Sequence, residues 1–209
     1  MFRKIYTKII KGICFVIAKI IYKTEVEGIE NIPEGEGVII CGNHVHGLDA
    51  PLLMALYPKK TICFMAKQEL FKNKFLKFLG ELYNVFPVNR EINDTEAVRK
   101  ALKVLKDKKI LGIYPEGTRN GLAKGEKPKH GAVNIAIRTG AKIVPFGVSG
   151  NFKLFSKVKY TFGEPIDLSG YKKNAHDKEV VDILTNELMA KIVELRDKGE
   201  KVNIAIDKK

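Results

Sequence analysis

The sequence predicts an α/β fold, a single domain with a central mixed sheet flanked by helices, on three observations. Short runs of β-type apolar residues alternate with stretches of helical periodicity. No internal repeat, low-complexity tract or linker divides the 209 residues, a length suited to one domain with a substantial core. The 45% hydrophobic and 29% charged fractions are those of an ordinary folded chain.

Residues 1–23 form an N-terminal unit, and 24–209 the main domain. The first unit carries Arg3, Lys4, Lys8, Lys11, Lys19 and Lys23 and no acidic residue. On a helix the lysines gather within about a third of the circumference, opposite Phe2, Ile5, Ile9, Ile13, Val16, Ile17 and Ile20. The longest uncharged run, residues 12–18, is far shorter than the roughly 20 residues needed to cross a bilayer. A basic amphipathic helix lying in a membrane interface is therefore expected, with lysines favouring anionic headgroups by about 1 kcal/mol each. Packing of its apolar side on the chain's own domain is the alternative. Lys19 and Lys23 interrupt the stretch where a secretory cleavage site would fall.

In the main domain the candidate strands are residues 38–41, 62–65, 85–88, 110–114, 143–148 and 158–162. Helical patterns fall between them at 51–56, 71–79, 95–106 and 132–139. Asp49 stands at or near an N-cap with Pro51 in the first turn, Asn93 and Glu96 resemble a capping box, and Gly140 closes the fourth helix. A last helix at about 177–196 repeats Val180, Ile183, Leu184, Leu188, Ile192 and Leu195 on one stripe, which is core packing. In such layered folds the loops leaving strand carboxyl ends collect functional groups. Three loops stand out: 42–49, 89–90 and 115–119.

The first holds Asn43-His44-Val45-His46-Gly47-Leu48-Asp49. A turn can return the Asp49 carboxylate to one ring nitrogen of His44, leaving the other nitrogen free to accept a proton. That is the base half of a charge-oriented pair, and it needs no serine or cysteine if the attacking hydroxyl belongs to the substrate. The third loop, Pro115-Glu116-Gly117-Thr118-Arg119, offers a carboxylate, a glycine for close approach, a hydroxyl and a guanidinium fork suited to phosphate. A surface turn with an internal Glu116–Arg119 ion pair is the plainer reading. Arg90, Lys67 and Lys129 each end or precede an element where an anion can be held, or are simply solvated. His46 has no third or fourth ligand at metal-binding spacing.

A formal charge of +13 implies an anionic partner: nucleic acid, an acidic membrane surface, or an acidic protein or phosphorylated substrate. Against nucleic acid, the densest lysine face lies opposite an apolar one and no zinc-finger or RNP-type pattern is present. Against a serine hydrolase, Ser149 lies in Val148-Ser149-Gly150, not in G-x-S-x-G. A non-catalytic membrane-surface scaffold stays open. Cys14, Cys41 and Cys63 lack C-x-x-C spacing and lie in apolar sequence, as reduced buried thiols do.

Taken in order, Asn43-His44-x4-Asp49, Phe86-Pro87-Val88-Asn89-Arg90, Tyr114-Pro115-Glu116-Gly117-Thr118-Arg119 and Ile143-Val144-Pro145-Phe146 resemble the four blocks of the glycerolipid acyltransferase family, and within it the lysophosphatidate acyltransferases. The residue two after His44 is often serine in that family and is His46 here. Asn84 and Asn89 stand where glycine and aspartate are common, and the His–Asp pair is intact.

The resemblance implies transfer of a fatty acyl chain from an acyl thioester to the sn-2 hydroxyl of 1-acyl-glycerol 3-phosphate, giving phosphatidic acid. An acceptor of glycerol 3-phosphate or another lysophospholipid is the alternative. It implies no bound cofactor, with an acyl carrier protein or coenzyme A thioester as co-substrate, and work at the cytoplasmic face of the cell membrane. Carried over by position, His44 is the general base and Asp49 its orienting partner. Arg90, Glu116, Gly117, Thr118 and Arg119 hold the phosphorylated acceptor, with Lys67 and Lys129 as further contacts. Pro145 shapes the acyl or acceptor pocket. Backbone N–H groups near 42–44 or at Gly117 are the candidate donors to the oxyanion.

Overall fold

The four residues Val38, Ile39, Ile40 and Cys41 are fully buried, as a strand covered on both faces must be. They belong to strand β2 (Val38–Gly42), at the middle of a sheet that a computed structural model describes over residues 9–10, 12–13, 15–57, 61–89 and 94–207. The other described strands are β1 (Glu25–Glu27), β3 (Ile62–Lys67), β4 (Phe86–Val88), β5 (Ile110–Ile113), β6 (Ile143–Gly150) and β7 (Val158–Phe162). Their order is β1-β7-β6-β2-β5-β3-β4. Neighbours β6, β2, β5, β3 and β4 run parallel, β7 is antiparallel to β6, and β1 is parallel to β7, so the sheet is mixed.

Helices α1 (Asp49–Leu56), α2 (Lys74–Leu82), α3 (Thr95–Lys106), α4 (Gly131–Thr139) and α5 (Lys178–Asp207) divide between the two faces. Leu52, Leu53 and Met54 of α1 bury against Ile40, Phe64, Phe146 and Tyr160 on one side. Residues of α3, α4 and α5, among them Ala101, Ile135 and Leu188, bury against Ile39, Cys41 and Leu111 on the other. The chain leaves β2 through α1 toward β3, and leaves β5 through α4 toward β6, on opposite faces and in opposite directions. The carboxyl ends of adjacent β2 and β5 therefore open a crevice, the place where open α/β sheets bind ligands.

Several elements differ from the sequence expectation for local reasons. Strand β1 was not foreseen, because Glu25-Val26-Glu27 is short and acidic; its ladder to β7 supplies what its composition does not. Helix α2 begins at Lys74, not 71, because Asn73 caps it by accepting from the N–H groups of Phe75 and Leu76 at 2.9 and 3.1 Å. Helix α3 spans the expected residues, but its cap is Asp94, which accepts from Ala97 N–H at 2.9 Å; Asn93 lies outside the described residues. Helix α5 continues past 196 to Asp207, with Gly147 and Gly199 leaving room where α5 and β6 touch. Cys41 and Cys63 are free and buried, and burial pushes both thiols up, away from reactivity; Cys14 lies outside the described residues.

Of the N-terminal segment, residues 9–10, 12–13 and 15–16 are helical and lead into a π-helical turn, Ile17–Ile21. Ile10 and Ile17 pack on the α1 side of the core, whereas Ile9, Ile13, Phe15, Val16 and Ile20 are exposed. Phe2, Ile5, Lys4, Lys8 and Lys11 lie outside the described residues. Among those described, no helix is long and apolar enough to cross a membrane.

Candidate active site

Strand β2 ends at Gly42, and the next residue anchors the loop that follows. The Asn43 side chain is buried and mimics one further rung of the ladder: its amide donates to Val148 O at 2.9 Å and its oxygen accepts from Val148 N–H at 2.6 Å. With Asn43 held, residues 44–48 fold back over the first turn of α1. Asp49 is the first residue of that helix but does not cap it. Its fully buried carboxylate turns back into the loop instead, where Oδ2 accepts from Val45 N–H at 2.7 Å, His46 N–H at 2.9 Å and the His44 ring at 2.8 Å.

That arrangement sets the tautomer of His44. A carboxylate surrounded by two backbone donors accepts, so Nδ1 carries the proton and Nε2 presents its lone pair. The ring lies flat on Tyr114, with centroids 4.3 Å apart and planes 13° from parallel. Tyr114 in turn stacks on Phe64 at 5.3 Å and meets Phe146 edge-on at 6.2 Å. Burial and the Asp49 charge hold the Tyr114 phenol well above its usual range, so it stays neutral beneath the imidazole. Tyr160, held up by the same two causes, donates to Asp49 O at 3.0 Å. Gly42 and Gly112 make this stack possible: a Cβ on either would collide with the ring of Phe146 or Phe64.

The loop after β5 grips His44 from the other side. Glu116, 3% exposed, accepts His44 N–H on Oε1 and Leu122 N–H on Oε2, each at 2.9 Å. Asn120 N–H donates to His44 O at 2.7 Å. Both main-chain groups of His44 are thereby tied to residues 116–120, across the mouth of the crevice. Both Glu116 oxygens thus face backbone donors, not Arg119 and not open solvent. Gly117 turns with φ of +70°, a conformation that side-chain-bearing residues rarely adopt, and the Lys129 stem lies over it. Lys129 N–H secures the turn by donating to Pro115 O at 2.7 Å.

Thr118 is half-buried, and Arg119 is exposed with its guanidinium over the Gly47 turn: a Cβ at Gly47 would lie 3.8 Å from Nη1. Arg119, Lys129, Gly117 and His44 are thus gathered on two facing loops. Lys67 ends β3 at the same end of the sheet, exposed and 3.5 Å from Glu69. Arg90 lies outside the described residues.

Pro145 and the candidate oxyanion donors sit otherwise than the sequence reading expects, and His46 has a part that reading does not assign. Pro145 does not face the His44 side; strand alternation turns its ring toward Gly163 and Leu195, and Phe146 takes the position beside Tyr114. His46 stacks on Phe152 at 4.7 Å and accepts Leu48 N–H at 3.3 Å, so it serves the loop's shape. The N–H groups of His44 and Gly117 are both already bonded, the latter to Tyr114 O at 3.0 Å, so neither is free for an oxyanion. Asn43, Tyr114 and Tyr160 were missed as site residues. A polar Asn directly after a buried strand was the one signal available for them.

Comparison with known proteins shows the family. Residues 23–149 match the family model Acyltransferase. The 1-acyl-sn-glycerol-3-phosphate acyltransferase of Bacillus subtilis is 34% identical over 176 residues, covering 81% of this chain and 86% of that protein. The protein of the same name from Borreliella burgdorferi is 32% identical over 164 residues, 78% of this chain and 63% of that one. Among solved structures, the 1-acyl-sn-glycerophosphate (LPA) acyltransferase PlsC of Thermotoga maritima superposes with a TM-score of 0.60 at 27% identity, covering 89% of this chain and 81% of that chain. On the matched model, the relatives and the shared fold, the chain belongs to the acyltransferase family.

Proposed function

We propose that this chain transfers a fatty acyl group from an acyl thioester to the sn-2 hydroxyl of 1-acyl-glycerol 3-phosphate, giving phosphatidic acid. The observation that carries the reading is the His44–Asp49 pair at 2.8 Å, opening on a crevice whose facing loop brings Arg119 and Lys129. The names of the relatives supply the acceptor class.

In the proposed reaction His44 Nε2 takes the proton of the acceptor hydroxyl as its oxygen attacks the thioester carbonyl. The tetrahedral intermediate then expels the thiolate, which recovers the proton from the imidazolium. Asp49 fixes the tautomer and stabilises the imidazolium. No acyl-enzyme forms. Arg119, with Lys129 and Arg90, holds the phosphate and so orders the hydroxyl beside the base. The donor is the thioester of acyl carrier protein or coenzyme A. The enzyme works at the cytoplasmic face of the cell membrane, with its basic N-terminal segment on anionic lipid.

The test is an assay of purified full-length protein with both donor types against lysophosphatidate, glycerol 3-phosphate and lysophosphatidylcholine. Phosphatidic acid formed from lysophosphatidate supports the reading. Preference for glycerol 3-phosphate would replace the acceptor, and no acyl transfer to any of them would remove the activity.

A further inference from the structure

Exposed apolar side chains are not scattered over this molecule. Of fifteen large hydrophobic residues exposed among those described, five belong to the N-terminal segment, four to the stretch after β3 and two to the β6–β7 loop. The four are Leu70, Phe75, Leu76 and Phe78, at 49, 66, 41 and 51% exposure, and the two are Leu154 and Phe155, at 66 and 59%. Among its described apolar side chains, helix α2 turns only Leu79 inward, against the α1-side core. Lys72, Lys74 and Lys77 are exposed between and beside the aromatic rings. In the β6–β7 loop, Lys153 is exposed next to Leu154.

Topology puts both patches at the crevice. Strands β6, β2, β5 and β3 lie side by side and parallel, so the segments leaving β3 and β6 stand at the same end of the sheet as the His44 and Glu116 loops, one on each flank. The β6–β7 loop touches the site through Phe152, which stacks on His46, and touches the N-terminal segment through Phe155 N–H, which donates to Ile21 O at 2.7 Å. Phe155 is also held at φ of +63°, where Asn or Gly would sit without strain. A bulky aromatic ring kept exposed at a strained turn points to a use for the ring outside the fold.

We propose that Leu70, Phe75 and Phe78 on one flank, and Leu154 and Phe155 on the other, where the loop adjoins the N-terminal segment, are a further bilayer-contacting surface that seats the mouth of the His44 crevice on anionic phospholipid. The side chains project as knobs with lysines around them, the form suited to entering a headgroup layer. A partner protein is the competing occupant of such a patch, and the acyl carrier protein arm of the experiment tests it. The proposal rests on the reading that the acceptor is a membrane lipid, because a crevice rimmed on both sides by inserted aromatics receives its acceptor without that lipid leaving the bilayer.

The experiment uses the full chain and sedimentation with phosphatidylglycerol/phosphatidylcholine vesicles, which needs no activity. Compared are wild type, Phe75→Ser/Phe78→Ser, Phe155→Asn, and the control Ile183→Ser on α5, an exposed residue outside both patches. The two rim variants are expected to partition at least tenfold less with melting temperature unchanged, and Phe155→Asn to melt no lower than wild type. Ile183→Ser should match wild type. Transfer to a short-chain acceptor dissolved as monomer should stay within twofold in the rim variants, while transfer to acceptor embedded in vesicles falls with partitioning. Unchanged partitioning would overturn the proposal. So would unchanged partitioning with a selective loss of turnover on acyl carrier protein thioester, which would make the patch a protein contact. If wild type acylates neither acceptor form, it is the enzymatic reading that fails, and the sedimentation result still decides this one.

Discussion

Replacing Asp49 by asparagine removes one charge while the three hydrogen bonds to Oδ2 can be kept. Oδ2 accepts three hydrogen bonds, from Val45, His46 and His44, whereas Oδ1 is buried without a protein partner. The substituted amide would therefore place its oxygen where Oδ2 stood and its NH₂ where Oδ1 stood, keeping the loop and the His44 tautomer. What is lost is attraction for the imidazolium that forms as the hydroxyl proton transfers. A full ring charge about 4 Å from a carboxylate, at an effective dielectric of about 20, is stabilised by about 4 kcal/mol. A half-developed charge in the transition state is stabilised by about 2 kcal/mol. The expected fall in kcat is thus between about 30-fold and about 1,000-fold. The assay is thiol release from the acyl thioester at saturating donor with lysophosphatidate varied, alongside a thermal melt. Acceptor KM should stay within about threefold, because Asp49 touches no acceptor. A kcat within about threefold of wild type, with the melt unchanged, would refute the electrostatic role.

Glu116→Gln sets an NH₂ against a backbone donor, either Leu122 or His44 N–H, and should cost about 1–3 kcal/mol and lower the melting temperature by several degrees. Turnover should drop about tenfold with acceptor KM little changed; an unchanged melt with a raised KM would return this carboxylate to the acceptor. Gly42→Ala drives a methyl into the Phe146 ring and should destabilise by about 1–3 kcal/mol in chemical denaturation, and a neutral result would mean the stack yields freely. Glu27 sits at about 2 instead of 4.5 because Lys159 and Lys198 both bond it at 2.7 Å. Such a depressed carboxylate stabilises the fold above pH 4.5 and ceases to as pH falls toward 2. At 43% exposure its contribution is discounted to about 1 kcal/mol. The melting difference between wild type and Glu27→Gln should therefore be present at pH 7 and vanish between pH 4.5 and 2; a difference that persists at pH 2 would contradict the ion-pair origin.

What could be read from sequence was what is local in sequence. His44 and Asp49 are five apart and one turn closes the distance, so residue types and spacing were enough to pair them. The helix α3 bounds were legible because its apolar period and end residues coincide. Contacts across the chain were not legible. Glu116 reads as a free carboxylate beside an arginine until the parallel pairing of β2 with β5 brings its loop to His44, 72 residues away. The same pairing places Tyr114 under the imidazole. Pro145 was read for its block and not for its parity along β6, and parity decides the face. The cap of α2 was missed because an apolar pattern marks a helix face and not its first residue.

The most direct measurement is acyl transfer from thioester to lysophosphatidate by wild type, Asp49→Asn, His44→Ala and the double variant, each shown to be folded. If His44 takes the proton and Asp49 acts through it, His44→Ala loses about 100-fold or more and the double variant loses no more than His44→Ala alone. Near-normal turnover in His44→Ala, or losses that multiply in the double variant, would contradict a base oriented by its carboxylate.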